Sequence, residues 1–251
     1  VFIVNEFMKI AVCVHLFYPD MFEQIIPYLN NLDYPYKLYI NLCPGKYNKK
    51  QVDLIYNYKP DAIINVSRNK GVDVGGFLYT FKKIDGDTDL IIKIHTKKGI
   101  GSELTPSASV KRKGLIPTMR DANKWFHDMM VGILKDVSSV NNIINEFKTN
   151  QKCGMVGFKL YNNLGPNEDE IIKIMNLINL NKDLIGGEFI GGTIFWVRYD
   201  ILKKYLNDNT IDTILKSMSD GYIIEPSPQH AIERIFGYMV KSEGKDIKVI
   251  N

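Results

Sequence analysis

KIAVCVHLF, Lys9 to Phe17, is rich in apolar and β-branched residues and is predicted to be a buried strand. The segments after it decide the fold. Asp20 stands three residues before Glu23, a capping-box spacing that predicts a helix start. Phe22, Ile25, Ile26 and Leu29 then fall on one helical face, with Pro27 expected to kink it. YKLYINL is predicted as a second strand, ending at the Pro44-Gly45 turn, and residues 51–58 as a short helix. DAIINVS (61–67) reads as a third strand, residues 74–84 as a helix, and DLIIKIH (89–95) as a fourth strand. Strands alternating with helices predict an α/β fold with a mostly parallel, doubly wound sheet. Such sheets bind ligands beyond the carboxyl ends of their strands. Attention therefore falls on His15, Phe17 and Tyr18, on residues 43–45 and 68–73, and on His95 to Lys98.

Composition narrows the function classes. The chain has 251 residues, 45% hydrophobic and 24% charged, with 32 Lys+Arg against 28 Asp+Glu for a net charge of +4. These are values for a globular chain with a real core, and they exclude coiled-coil, collagenous and disordered classes. No apolar run approaches the roughly 20 residues of a membrane-spanning helix. The small net charge argues against nucleic acid as partner. Cys13, Cys43 and Cys153 are far apart and lack metal-ligand spacing, which suggests reduced thiols and a cytoplasmic setting. The opening VFIVNEFMKI has neither a basic leader nor a small-residue cleavage site, so no secretory signal is expected. A start at Val1 suits a trimmed chain or a module of a longer polypeptide.

From Gly99 to Asp121 the pattern fails, and a loop of that length is expected to be functional or disordered. Asp121 caps a predicted helix through Trp125, Phe126, Met129, Met130 and Ile133, with another over residues 140–147. CGMVGFKLY (153–161) reads as a strand, 168–179 as a helix, and EFIGGTIFWVR (188–198) as a strand or hairpin interrupted by Gly191-Gly192. Asp200 opens a further helix, and Ser227-Pro228 start the last, over residues 229–241. No repeat or linker divides the chain, so residues 1–251 are expected to form one domain.

Five segments carry candidate chemistry. KIHTKK (93–98) is a strand ending in a cationic cluster, suited to a diphosphate or to a solvated strand end. RNKGVDVGGF (68–77) has Gly71, Gly75 and Gly76, which permit close approach of backbone N–H groups, and Asp73, which can bind a ribose or sugar hydroxyl; a plain turn with a helix cap is the competing reading. DGDTD (85–89) has D-x-D spacing but precedes the fourth strand, at the amino edge, and reads as a solvated turn. GGTIFWVR (191–198) offers either a flat wall for a sugar ring or a β-bulge with core aromatics. In SPQHAIERIFGYMV (227–240), His230, Glu233 and Arg234 share a face opposite Ile232, Ile235 and Phe236. A base, a carboxylate and a guanidinium there can activate a hydroxyl, or form a solvated helix face. His15 and His127 read more simply as structural histidines.

Taken in order, VHLFYPDMFEQIIPYLNNL, NKGVDVGGFL, DLIIKIHTKK, CGMVG, FIGGTIFWVR and HAIERIFG resemble the rhamnan synthesis protein F family, over about Lys9 to Tyr238. KIHTKK and the GGTIFWVR with HAIER pair are the most specific parts. The resemblance implies a glycosyltransferase of polysaccharide assembly, moving a sugar, rhamnose by common assignment, from a nucleotide-diphosphate donor to a glycan acceptor. It implies an A-type glycosyltransferase-like fold, with a nucleotide-binding half at about 8–98 and an acceptor half at about 121–251. In that fold the strand after the Gly-rich helix usually ends in D-x-D, which holds Mn or Mg; here the position reads I-H-T-K at Ile94 to Lys97. His95, Thr96, Lys97 and Lys98 are then expected to meet the diphosphate in the metal's stead, with Arg234 beside the donor. A UDP- or dTDP-linked donor would set its base near His15, Phe17 and Asn69, with Asp73 toward the ribose and the Gly71 backbone close to the nucleotide sugar. Gly191, Gly192, Trp196 and Arg198 are expected to shape the sugar and acceptor site, Glu233 or His230 to act as base with inversion, and the 99–121 loop to close over the donor. The expected location is cytoplasmic, peripheral to a membrane where the acceptor is lipid-linked. Two other classes stay open: a non-catalytic nucleotide- or glycan-binding module, and a weaker polyanion-binding one.

Overall fold

The structure, a computed structural model, describes residues 7–98 and 122–249. The predicted strand is β1 (Ile10–Leu16), buried at every position. β2 (Tyr36–Leu42) and β4 (Leu90–His95) flank it, both parallel to it, and β3 (Ile63–Val66) runs parallel on the outer side of β2. Beyond β4 the sheet turns mixed: β8 (Phe195–Arg198) is antiparallel to β4, β5 (Cys153–Gly157) antiparallel to β8, and β9 (Asp246–Val249) parallel to β5. The order is β3-β2-β1-β4-β8-β5-β9. A short ribbon pairs β6 (Leu160–Tyr161) with β7 (Phe189–Ile190). The architecture is thus α/β, with a mostly parallel seven-stranded mixed sheet, compatible with a Rossmann-like plan. The chain moves outward from β1 to β3 and returns to the other side of β1 as β4, so the topological switch lies between β1 and β4.

Helices cover both faces, and strand alternation decides which residue meets which layer. Ala11, Cys13, Ile91, Phe195 and Val197 face a core with α3 (Val72–Phe81), α6 (Glu168–Leu177), α7 (Tyr199–Tyr205), α8 (Asp208–Ser217) and α9 (Pro228–Ser242). Val12, Val14, Ile92, Ile94 and Trp196 face the other core, with α1 (Phe22–Leu29), α2 (Lys49–Tyr58), α4 (Ala122–Leu134) and α5 (Val137–Thr149). His15, Lys93 and His95 share the parity of Cys13 and Ile91 and therefore face α3 and α9.

Several local expectations change. The Asp20–Glu23 capping box does not form: Pro19–Met21 make a 3-10 turn, Met21 is the N-cap of α1 without a side-chain bond, and Asp20 pairs with Lys98. The box is instead at α2, where Asn48 and Gln51 exchange side-chain bonds at 3.4 and 2.8 Å. The 188–198 strand breaks at its glycines into β7 and β8, because Gly192 and Thr193 adopt φ of 86° and 55°. β9 and α8, started by the Asn207 cap on the Thr210 N–H at 3.0 Å, were not anticipated. Helix α9 is not an amphipathic surface helix: Gln229, Ala231, Ile232 and Arg234 through Val240 are all buried. No helix among the described residues is long and apolar enough to cross a membrane. The 99–121 segment, expected to be a closing loop, lies outside the described residues.

Candidate active site

The site grows from a lysine inside the fourth strand. Lys93 is only 1% exposed, with its ammonium 5.7 and 6.0 Å from the Phe77 and Phe195 ring centroids. A buried ammonium is tolerated only when its donors are satisfied. Here it donates to Asp73 Oδ2 at 2.8 Å, to the Thr193 carbonyl at 2.9 Å and to Thr193 Oγ1 at 2.7 Å. Asp73 comes from the first turn of α3, and the Thr193 hydroxyl donates to the same carboxylate oxygen. One pleat further, His95 Nε2–H donates to the Gly192 carbonyl at 2.8 Å and lies 3.9 Å from Asp73. The Gly192 N–H donates to Glu233 Oε1 at 2.6 Å. The Gly192-Thr193 strap is thus held by β4, α3 and α9 together.

Two backbone outliers border that clamp. Thr193 at φ 55° and Val72 at φ 50° are β-branched residues in the left-handed region, where side chain and carbonyl clash. They flank the Asp73–Lys93 contact, and strain of this kind persists where surrounding bonds over-determine it, commonly at working sites. Gly192 itself has no room for a side chain: a Cβ would stand 2.5 Å from the Trp125 ring.

Arg234 forms a second buried knot. It is 4% exposed and donates to the His230 carbonyl at 2.7 Å, to Glu225 at 2.9 Å, to the Asn163 carbonyl at 3.3 Å and to Glu233 at 3.4 Å. His230 Nδ1 lies 2.6 Å from the hydroxyl of Ser227, the N-cap. With Nδ1–H donating to that hydroxyl, Nε2 presents a lone pair.

Protonation follows from burial and neighbours. Burial opposes ionisation of Asp73, but the Lys93 ammonium, His95 and the bonds from Lys93 and Thr193 outweigh it and hold the carboxyl far below its ordinary value. Burial pushes Glu233 above the ordinary glutamate value, against the Gly192 N–H and Arg234. Burial lowers His95 and His230, so both are neutral near pH 7. His15 falls to about 4 for the same reason. The fields of Asp73 and Lys97 reach His230, and that of Glu233 reaches Lys93, so these groups form one electrostatic unit.

Two helices aim their amino ends at this unit. α3 follows β3 and starts at the carboxyl edge. α9 precedes β9, which runs parallel with β5 and hence with β4, and its first turns reach Gly192, so it starts at the same edge. Both helix termini carry partial positive charge toward the crevice. Beside them, Phe17, Cys43, Pro44, Lys46, Arg68, Asn69 and Asp220 line a cleft of about 270 Å³ at the ends of β1, β2 and β3.

The residues named from sequence separate into groups. Phe17 and Asn69 line the cleft, where the buried Asn69 Oδ1 has no partner. Asp73, His95, Gly192, Glu233, His230 and Arg234 meet in the clustered unit. Lys97 is exposed at its rim, its ammonium 4.3 Å from the Trp125 ring centroid. Others are corrected. Trp196 is fully buried and donates to the Ile133 carbonyl at 3.1 Å, so it cannot wall a sugar. Arg198 pairs in register with Leu90 at the opposite, amino edge, where it holds the carbonyls of Cys153 and Phe147 at 2.7 and 2.6 Å. Gly191 packs under Tyr161, where a Cβ would come within 2.5 Å of the ring. Thr96 is buried and accepts the Tyr18 N–H at 3.1 Å, Lys98 pairs with Asp20 at the surface, and His95 is neutral, so His95 brings no positive charge to the expected diphosphate contact. His15 is 4% exposed, both ring nitrogens lack partners, and it lies against Gly76. Asp73 is tied to Lys93 rather than left for a ribose. Gly71 gives its N–H to the Ser219 carbonyl at 2.9 Å.

Sequence reasoning missed Lys93 as a site residue, although a lysine inside LIIKIH on the parity of His95 was a visible signal. It also missed Thr193 and Glu225, which only tertiary folding brings in. A divalent cation does not suit this donor set. Among the described residues no three His, Cys, Asp or Glu side chains converge as ligands, and the I-H-T-K position presents a neutral, engaged His95 between Lys93 and Lys97.

Comparison with known proteins gives one assignment. A family profile described as rhamnan synthesis protein F matches residues 3–245, nearly the whole chain. No curated protein matches it.

Proposed function

The chain belongs to the rhamnan synthesis protein F family, and from that premise we propose that it is a glycosyltransferase of rhamnan synthesis, built on an A-type glycosyltransferase plan as one domain. The family ties it to rhamnan synthesis and to sugar-nucleotide and glycan partners. The finer reading is a UDP- or dTDP-linked donor, rhamnose as the moved sugar, and inversion. The observation that supports it is the gathering of Asp73, Lys93, His95, Gly192 and Glu233 at the carboxyl end of β4, on the same sheet edge as the Phe17–Asn69 cleft.

In this reading the base lies in the cleft and the diphosphate meets Lys97 and the amino ends of α3 and α9. Lys93 and Asp73 neutralise each other and serve as the post on which Thr193 and Gly192 are fixed. The Gly192 N–H in turn orients the Glu233 carboxylate. An acceptor hydroxyl oxygen attacks the anomeric carbon, its proton passes to Glu233, and the bond to the diphosphate breaks with its electron pair leaving on phosphate oxygen. Burial raises the proton affinity of Glu233, which suits a general base. His230, neutral and half-buried at the rim, is the competing base.

A second reading, a non-catalytic binding module, is favoured by one observation: Asp73 and Glu233 are both already engaged, by Lys93 and by the Gly192 N–H. A thermal-shift panel of nucleoside diphosphates and nucleotide sugars, with and without Mn²⁺, tests the donor site. A binder raises the midpoint by mass action. The expected result is stabilisation by uridine or thymidine diphosphates that EDTA leaves unchanged; no stabilisation by any nucleotide would remove the donor site.

A further inference from the structure

The segment between the cleft and His230 is pinned at both ends. Residues 69–71 and 219–221 pair like a short ribbon: the Gly221 N–H donates to the Asn69 carbonyl at 2.7 Å, the Gly71 N–H to the Ser219 carbonyl at 2.9 Å, and Lys70 bridges Asp220. Asp220 lines the cleft and is ion-paired with Arg68. At the far end Glu225 is fixed by Arg234 at 2.9 Å. Between these anchors exposure alternates. Ile223 is half-buried, while Tyr222 and Ile224 are 65% and 55% exposed, so the two outer residues of the three offer apolar surface to solvent. Single exposed apolar residues are ordinary on a protein surface. What distinguishes this pair is its setting. The Tyr222 and His230 rings are perpendicular, with centroids 5.9 Å apart, and the Tyr222 hydroxyl feels the charges of Glu225 and Glu233. Tyr222 thus borders the acid-base unit directly and follows Asp220 of the cleft by two residues, with Ile224 beyond it in the chain.

We propose that Tyr222 and Ile224 form the acceptor subsite, a platform for the apolar face of a 6-deoxyhexose ring at the end of a glycan. The chemistry that points to this occupant is the mixed character of the surface. An aromatic face receives the axial C–H groups of a pyranose, and the phenol hydroxyl bonds a ring hydroxyl. A 6-deoxyhexose carries a methyl group where other hexoses carry hydroxymethyl, and Ile224 offers that methyl an apolar neighbour. Stacked there, the terminal sugar sits beside His230, with its hydroxyls turned toward Glu233. The Tyr222 ring also shields His230 from bulk water on that side. The identity of the ring rests on the transferase reading, but the subsite is tested by binding alone.

The probes are a linear rhamno-oligosaccharide and, as control, maltotriose, followed by saturation-transfer NMR and titration of the full chain without donor. The wild-type chain should bind the rhamno-oligosaccharide in preference to maltotriose. Tyr222→Ala should weaken that binding roughly tenfold, as loss of an aromatic anchor does, while Tyr222→Phe retains most of it. Thermal shift by nucleoside diphosphate should be the same in all three chains. The proposal is overturned if the wild-type chain does not bind the rhamno-oligosaccharide, or if Tyr222→Ala binds it as well as wild type. It is also overturned if Tyr222→Ala loses melting temperature and nucleotide binding in parallel, which would make the ring a structural prop. If oligosaccharide binding depends on Tyr222 and no nucleotide binds at all, the subsite stands and the transferase reading falls.

Discussion

Replacing Lys93 by Met is the most informative single perturbation of the fold beneath the site. Methionine matches the stem, which lies between the Phe77 and Phe195 rings, and removes three hydrogen bonds, to Asp73, the Thr193 carbonyl and Thr193 Oγ1. The loss leaves the Asp73 carboxylate, 20% exposed, without its ammonium partner. Breaking one side of a buried pair costs about 3–5 kcal/mol. For a chain of this size that corresponds to roughly 6–20 °C in midpoint. The cost should depend on pH with a definite sign. In the wild type the folded Asp73 titrates far below its unfolded value, so its contribution is complete above the ordinary carboxylate range and fades only as pH falls below it. In Lys93→Met, burial acts without the opposing ammonium and raises Asp73, so protonation relieves a buried charge. The difference between wild type and variant should therefore shrink between pH 7 and pH 5. Urea unfolding at both pH values measures this, and adding Asp73→Asn to Lys93→Met should recover part of the loss through coupling of the pair. A cost under about 1 kcal/mol, the same at both pH values, would refute the view that this pair is a buried, charged post.

The same geometry sets other expectations. Glu233→Gln should lower turnover by about 10²–10⁴-fold and leave nucleotide affinity nearly unchanged; His230→Asn run in parallel identifies the base by which variant has this profile. Because burial raises the folded Glu233 above the ordinary glutamate value and the base must be deprotonated, the acid limb of the rate profile should fall at a pH above that of an ordinary glutamate, and a limb at or below it would exclude Glu233. Lys97→Ala should weaken nucleoside diphosphate binding by about tenfold to a hundredfold and leave nucleoside binding intact, read by calorimetry. Gly76→Ala would set a Cβ 2.1 Å from His15 Nδ1 and should cost about 1–3 kcal/mol in urea unfolding, with His15→Ala in the same chain restoring stability if that contact is the cause.

The middle of the sheet was legible because β1 and β4 are buried on both faces and read as near-continuous apolar runs, and YKLYINL coincides with β2 residue for residue. The ligand edge came from the strand-helix alternation, whereas the switch point depends on the strand order, which the alternation does not encode. The antiparallel β8 was hidden, since nothing in IFWVR encodes the direction of its neighbour. β9 is four residues of mixed polarity and carries too little pattern to read. At the site, HAIER and KIHTKK were visible as chemistry, but the roles shifted. His95 looked cationic from its lysine neighbours, whereas burial makes it a neutral hydrogen-bond donor to Gly192. Trp196 and Arg198 looked like site residues because they come just after a glycine pair; parity sends one into the core, and strand direction carries the other to the amino edge. The Lys93–Asp73–Thr193 contact joins segments 20 and 100 residues apart and leaves no local trace.

The central claim is catalysis at the edge of β1 and β4, and the most direct test is release of nucleoside diphosphate from UDP- and dTDP-linked rhamnose by the purified chain with a rhamno-oligosaccharide acceptor. The expected result is acceptor-dependent release with one of these donors, extension of the acceptor by one sugar, and loss of both in Glu233→Gln. Tight donor binding with no release, in wild type and variant alike, would contradict it and leave a binding module.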